Sequence, residues 1–67
     1  MKISLKAARV NAGFSQDALA KRIGVSKSTI SRWELGTLTI PNNALNKICE
    51  VCQLEKDNII IKERKDI

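Results

Sequence analysis

Histidine and tyrosine are absent from this chain of 67 residues, and aromatic residues make up only 3% of it. The lack of histidine excludes His-dependent catalytic triads and His-ligated metal sites. The chain also lacks the run of about 18 apolar residues that a membrane span needs, and its N-terminus lacks the apolar region of a signal peptide. We therefore expect a cytoplasmic protein of one domain, too short for a multidomain enzyme.

Cysteine is scarce, and the two that occur, Cys49 and Cys52, form a C-x-x-C pattern. A thiol redox site would have its first cysteine at the start of a helix beside a βαβ unit, whereas this pair comes late in a helical pattern. A zinc site would need two further ligands, and the chain has neither histidine nor a third cysteine. We interpret the pair as small apolar side chains on one helix face, and expect neither a metal nor a cofactor. A thiol enzyme is the alternative.

Negative charge is scarce in the first half of the chain. Residues 1–33 carry seven Lys or Arg side chains and one Asp, whereas residues 34–67 carry five positive and six negative side chains. The formal net charge of +5 therefore originates in the first half. Such asymmetry is typical of proteins that bind an anionic partner such as nucleic acid, although charge also serves solubility.

The first part of the chain predicts two short helices. One covers about residues 3–12 and ends at Gly13, and its apolar stripe at helical spacing consists of Ile3, Ala7, Val10 and Phe14. The next begins after Ser15, a good N-cap residue, and ends at Gly24. Its predicted apolar face consists of Ala18, Leu19, Ala20 and Ile23.

The remainder of the chain predicts two more helices and an irregular end. Ser26 and Gly36 bracket a helix over about residues 27–35, with Ile30 and Trp33 facing inward. A fourth helix covers about residues 41–53, with Pro41 in its first turn and an apolar stripe of Leu45, Ile48, Cys49 and Cys52. Residues 57–61 fit either one helical turn or the start of a strand, because three consecutive isoleucines are β-branched.

Residues 15–36 carry a helix-turn-helix pattern. Ala20 is small enough for two helix backbones to approach each other, and Gly24 can adopt the positive φ that a tight turn between them needs. Val25 and Ile30 then fill the angle between the two helices. Small, glycine and apolar residues all occupy the positions where such a turn requires them. This spacing is therefore specific for two helices that cross at a steep angle.

The outward face of the third predicted helix is short, polar and basic. On a helical wheel with Ile30 inward, Ser28, Ser31, Arg32 and Leu35 point outward. Such a face fits the major groove of DNA, where an arginine can bind a guanine through two hydrogen bonds. Glu34 falls on the inner side of the wheel, where an unpaired carboxylate would be costly, so a nearby arginine is expected.

From about residue 3 to residue 60, the chain resembles the phage repressor and Cro-type helix-turn-helix family, also called XRE-like. The resemblance is strongest at Ser15-Gln16, Leu19-Ala20, Gly24-Val25-Ser26, Thr29-Ile30-Ser31, Trp33-Glu34 and Gly36. It implies an all-α fold, a compact four- to five-helix bundle like the lambda repressor DNA-binding domain, over residues 1–61. A short polar tail would follow at residues 62–67.

The resemblance also implies roles for individual residues. Lys27, Ser28 and Arg32 match base-contacting positions, and Thr29 and Ser31 lie at the edge of that contact. Gln16 matches a position that contacts phosphate and braces the recognition helix, while Arg9 and Glu34 match a structural salt bridge. Further phosphate contacts are expected from hydroxyl and amide side chains, namely Ser15, Thr37, Thr39, Asn42 and Asn43.

Two features depart from the family pattern. The loop of residues 37–43 carries no charge where many relatives have Lys or Arg, so we expect only about two to four phosphate contacts per protomer. The isoleucines at residues 59–61 would be costly to expose on so small a domain. Residues 54–61 are therefore expected either to form a homodimer interface or to close the core of the monomer.

These observations favour a transcriptional regulator that is not an enzyme and has no small-molecule substrate. It would be a repressor that binds double-stranded DNA as a dimer at a palindromic operator, with the helix of residues 27–35 in the major groove. The alternative is a protein-interaction module, as in antitoxin-like relatives that bind a toxin through an added tail. Only about seven residues remain here for such a tail.

Overall fold

The computed structural model describes residues 2–60, which form four α-helices and one pair of short strands. The order is β1 (Ile3–Ser4), α1 (Leu5–Asn11), α2 (Gln16–Ile23), α3 (Lys27–Leu35), α4 (Asn42–Cys52), a 3-10 turn (Lys56–Asn58) and β2 (Ile59–Ile60). This part of the chain is mostly helical, in agreement with the all-α prediction, and none of its helices is long and apolar enough to cross a membrane. The polar tail predicted at residues 62–67 lies outside the described residues.

Serine and glycine set the ends of the helices. The side-chain oxygens of Ser4, Ser15 and Ser26 each accept a hydrogen bond from the backbone N–H three residues later, at 3.0, 3.0 and 3.2 Å. These bonds satisfy N–H groups that have no partner within the helix. Gly24 and Gly36 end α2 and α3 with φ of 84° and 81°, a conformation that glycine adopts without strain. The predicted limits of α3 are therefore confirmed.

The main core lies between α2, α3 and α4. Each contributes one side chain with no exposed surface, namely Leu19, Ile30 and Ile48. Trp33 packs in the same cluster and is 6% exposed. A second cluster joins α1, α4 and β2 through Ala8, Leu45, Cys49 and Ile59. Both predicted inward residues of α3 are thus buried.

The first helix begins later than predicted because the chain before it forms a strand. Ile3 and Ser4 leave the helix and pair in parallel with β2, so that Ile3 lies opposite Ile59 and Ser4 opposite Ile60. Ser4 then caps α1, which begins at Leu5. The predicted start at residue 3 is therefore wrong, because a pairing with the other end of the chain outweighs local helical spacing.

The predicted apolar stripe of the first helix is confirmed only in part, since Phe14 and Ile3 are half-buried against the two core clusters. The buried residues of α1 are Leu5, Ala8 and Arg9, whereas Val10 is 55% exposed. Once Ile3 belongs to a strand, it no longer sets which face of α1 turns inward. The face that turns inward carries Arg9, whose charge can be buried because the carboxylate of Glu34 pairs with it.

Three smaller predictions change as well. Ala18 is exposed, because it occupies the first turn of α2 beside the Ser15 cap. Pro41 precedes α4 as its N-cap residue and does not lie in the first turn. At residues 56–60 both predicted alternatives occur in succession, a 3-10 turn and then a strand.

Candidate nucleic-acid interface

The turn between α2 and α3 brings the two helices together as the spacing predicts. The backbone N–H groups of Gly24 and Val25 both donate to the carbonyl oxygen of Ala20, at 2.9 Å each. Ala20 is only 1% exposed, and Val25 packs against the main core. The angle of α3 is therefore set by a tight hydrogen-bonded turn and by the apolar residues beneath it.

The face of α3 opposite the core is basic and exposed. Ser28 and Arg32 are exposed there, Ser31 is half-buried, and Lys27 is exposed beside this face at the start of the helix. Leu35 continues the face at the end of the helix and is 59% exposed. The predicted base-contacting stripe thus lies at the surface of a helix whose other face is fixed in the core.

Hydroxyl groups at the start of α3 form a small hydrogen-bonded cluster. Oγ of Ser26 lies 3.1 Å from Oγ of Ser28 and 2.8 Å from Oγ1 of Thr29. Thr29 is half-buried, and its hydroxyl lies against the Ser26 cap. Among the predicted base contacts, the two long cationic side chains, Lys27 and Arg32, therefore have the greatest reach from the helix.

A buried polar network holds the end of α3 against α1 and α2. The ion pair expected between Arg9 and Glu34 is present, with Nε of Arg9 2.6 Å from Oε2 of Glu34 and side-chain exposures of 9% and 5%. Nη1 of Arg9 also donates to the carbonyl oxygen of Phe14 at 2.8 Å. Nε2 of Gln16 donates to Oε1 of Glu34 at 3.0 Å. Gln16 therefore braces α3 directly and retains its second amide hydrogen for another acceptor.

The loop after α3 offers fewer donors than its sequence indicates. The backbone N–H and the side-chain hydroxyl of Thr37 both donate to the carbonyl oxygen of Arg32, at 3.0 and 3.3 Å. A phosphate contact from Thr37 would have to replace one of these bonds. Thr39, Asn42 and Asn43 are exposed, although Oδ1 of Asn43 accepts a bond from the next backbone N–H at 2.9 Å.

The two apolar residues of this loop lie in different surroundings. Ile40 is half-buried and packs against both core clusters, whereas Leu38 is 43% exposed. Apolar residues in a surface loop can either pack inward or belong to a contact surface. Ile40 anchors the loop to the core, and Leu38 remains available at its surface.

The two cysteines are free thiols on α4, Cys49 buried and Cys52 half-buried. Burial raises the pKa of both thiols above their ordinary value. The positive charge of Lys56 opposes the rise in the pKa of Cys49, and Cys49, when ionised, adds to the rise in the pKa of Cys52. Because the thiolate is the reactive form, a raised pKa does not favour thiol chemistry at neutral pH. Within residues 2–60, no three His, Cys, Asp or Glu side chains form a group that could hold a metal ion.

Comparison with known proteins agrees with this architecture. A family model described as helix-turn-helix matches residues 5–58, from the first residue of α1 to the last residue of the 3-10 turn. No curated protein and no solved structure matches the chain. Because the family match spans all four α-helices and the turn between α2 and α3, the chain belongs to the XRE-type helix-turn-helix family of DNA-binding regulators.

Proposed function

We propose that this protein is a sequence-specific repressor that binds double-stranded DNA as a dimer. The observation that carries the proposal is the exposed stripe of Lys27, Ser28 and Arg32 on α3, a helix whose opposite face is buried. In this proposal residues 1–61 form a domain of the lambda-repressor type, residues 62–67 a polar tail, and the operator is palindromic.

The proposed contacts divide into base reading and backbone positioning. The guanidinium group of Arg32 presents two donors in the fork that O6 and N7 of guanine accept, and Lys27 reaches the same groove. Donors on either side of α3 would bind phosphate, from Ser15 and Gln16 at the start of α2 and from Thr39, Asn42 and Asn43 beyond α3. The Ser15 oxygen accepts the bond of the helix cap, which leaves its hydroxyl hydrogen free to donate.

Selection of bound sites from a random pool of duplex DNA tests the proposal most directly. We expect one enriched half-site repeated with two-fold symmetry, its copies about 10 base pairs apart, centre to centre. This spacing follows from two recognition helices that enter successive major grooves on one side of the duplex. Recovery of no enriched sequence would contradict sequence-specific binding, and enrichment of a single asymmetric site would contradict the dimer.

Replacement of Arg32 by alanine is expected to weaken specific binding by about 1–3 kcal/mol and to relax specificity at one base pair of each half-site. The matched control is Arg22→Ala, which removes an exposed arginine side chain from α2, at a position beside α4. Fluorescence anisotropy with the selected site and with single-base variants measures both effects. If the parent protein and the Arg32→Ala protein bound every DNA variant equally well, Arg32 would not be a base-contacting residue.

The dependence of binding on salt is expected to be shallow. The loop of residues 37–43 has no charged side chain, so few counterions are released when the protein binds. A plot of log affinity against log salt concentration should correspond to about two to four phosphates per protomer. A slope equivalent to about eight phosphates or more per protomer would be incompatible with the proposed contacts.

The proposed dimer uses residues 54–61, and the structure indicates how to test it. Ile59 is 7% exposed and belongs to the monomer core, whereas Ile60 is 51% exposed. We expect Ile60→Ser to weaken the dimer at least about tenfold, because a two-fold interface loses the apolar contact twice. Sedimentation should show no such loss for Val10→Ser, the control at a similarly exposed apolar residue of α1. An unchanged dimer in Ile60→Ser would refute this interface.

A further inference from the structure

Lys56 lies in the 3-10 turn after α4 and is remote in sequence from all the predicted DNA contacts. Its ammonium nitrogen lies 2.6 Å from Oδ1 of Asn42, the first residue of α4. Both side chains are at the surface. The fold therefore brings a cation to the end of the loop of residues 37–43, which itself has none.

The hydrogen bond to Asn42 leaves donors available on both side chains. An ammonium group has three N–H donors, of which Asn42 accepts one. The amide of Asn42 uses its oxygen toward Lys56, so both hydrogens of its NH2 group remain without an acceptor within residues 2–60. Four donors, two of them on a full positive charge, thus lie together at a position where the proposed function has Asn42 contact a phosphate.

We propose that Lys56 is a DNA-binding residue, which contacts a backbone phosphate together with Asn42 and supplies the positive charge that the preceding loop lacks. This inference rests on the proposed function and adds to it a contact from outside the helix-turn-helix segment. With Lys27 and Arg32, Lys56 makes three cations per protomer at the proposed DNA-facing surface. Of these three, the proposal assigns Lys56 to phosphate, so Lys56 accounts for one of the about two to four phosphates per protomer expected from the salt dependence.

A phosphate contact has a signature that separates it from base reading. Phosphates are present at every step of the duplex, so loss of a phosphate-binding lysine weakens binding to all sequences by a similar factor. Loss of one such contact also lowers the salt slope by about 0.9 per protomer, which corresponds to about eightfold weaker binding at ~0.1 M salt. A lysine that only braces the 3-10 turn against α4 changes neither quantity.

The test compares four proteins on the selected operator and on an unrelated duplex over a range of salt concentrations. Lys56→Gln is expected to show both the lower slope and the uniform loss, while Lys56→Arg, which keeps the charge, restores the parent's slope. The control is Lys47→Gln, which removes another exposed lysine on α4, one that lies beside Arg22 in the groove between α2 and α4. Thermal unfolding establishes that each variant is folded, as expected for exposed side chains.

The outcomes separate this inference from the function on which it rests. If the parent protein binds the operator and Lys56→Gln keeps its slope and affinity, Lys56 only braces the turn and the inference is overturned while the function stands. If Lys47→Gln lowers the slope as much as Lys56→Gln, the effect is one of overall charge and the inference is overturned. Absence of DNA binding by the parent protein overturns both.

Discussion

Replacement of Glu34 by alanine is expected to lower the free energy of unfolding by about 3–5 kcal/mol, because it leaves the charge of Arg9 buried without its carboxylate. The side chains of Arg9 and Glu34 are 9% and 5% exposed, so water can solvate little of the charge that Arg9 would retain. A domain of this size has a total stability of about 3–10 kcal/mol. The loss therefore removes from about a third to all of the stability, and a domain at the lower end of this range would unfold at room temperature.

The matched control is the exposed ion pair on α2. Nζ of Lys21 lies 3.3 Å from Oδ2 of Asp17, and the two side chains are 79% and 58% exposed. Lys21→Ala should cost less than about 1 kcal/mol, since surface pairs contribute little. Urea unfolding followed by the fluorescence of Trp33, the one tryptophan of the chain, measures both variants. Similar losses in the two would show that the buried network does not hold α3.

A double-mutant cycle isolates the pair from its other bonds. Arg9 also donates to the carbonyl oxygen of Phe14, and Glu34 also accepts from Gln16, so each single variant disturbs more than one contact. We expect the Arg9→Ala/Glu34→Ala protein to lose less stability than the two single losses added together, because neither charge is then left unpaired. Simple additivity would mean that the two side chains are not energetically coupled.

Truncation of Ile30 to alanine is expected to destabilise the protein by about 2–5 kcal/mol, because the side chain has no exposed surface and its removal leaves a cavity between α2 and α3. Ile30→Val, which removes one methylene, should cost about 0.5–1.5 kcal/mol. In a domain of this size each kcal/mol lowers the melting temperature by roughly 4–8 °C. Calorimetry or a thermal scan of Trp33 fluorescence resolves both changes.

A control for Ile30 exists on the same helix. Leu35 is 59% exposed, and Leu35→Ala should change stability by no more than about 0.5 kcal/mol. The two substitutions involve aliphatic side chains of equal size on α3 and differ in what surrounds them. A loss in Ile30→Ala no larger than that in Leu35→Ala would mean that the packing of α3 on α2 contributes little to stability.

Helix α3 could be predicted from the sequence because its determinants are local. Ser26 and Gly36 fix its two ends, and the inward positions follow from one wheel centred on Ile30. The same wheel turned Glu34 inward and predicted an arginine near it. Local sequence specifies caps and faces because both depend on residues within one or two helical turns.

Features that depend on contacts between distant segments could not be predicted in this way. The start of α1 follows from the pairing of Ile3 with Ile59, at the opposite end of the described chain. The approach of Lys56 to Asn42 depends on the path of the chain after α4. Helical spacing carries no information about either contact, since both join residues that are distant in sequence.

The parallel pairing of β1 with β2 determines how the domain resists a pulling force. The chain enters β1 at Ile3 and leaves β2 at Ile60, and the two strands point in the same direction. Tension applied before β1 and after β2 therefore slides the strands past each other, so that their hydrogen bonds are loaded together and do not open one after another. Under such tension this strand pair is loaded first, ahead of α3.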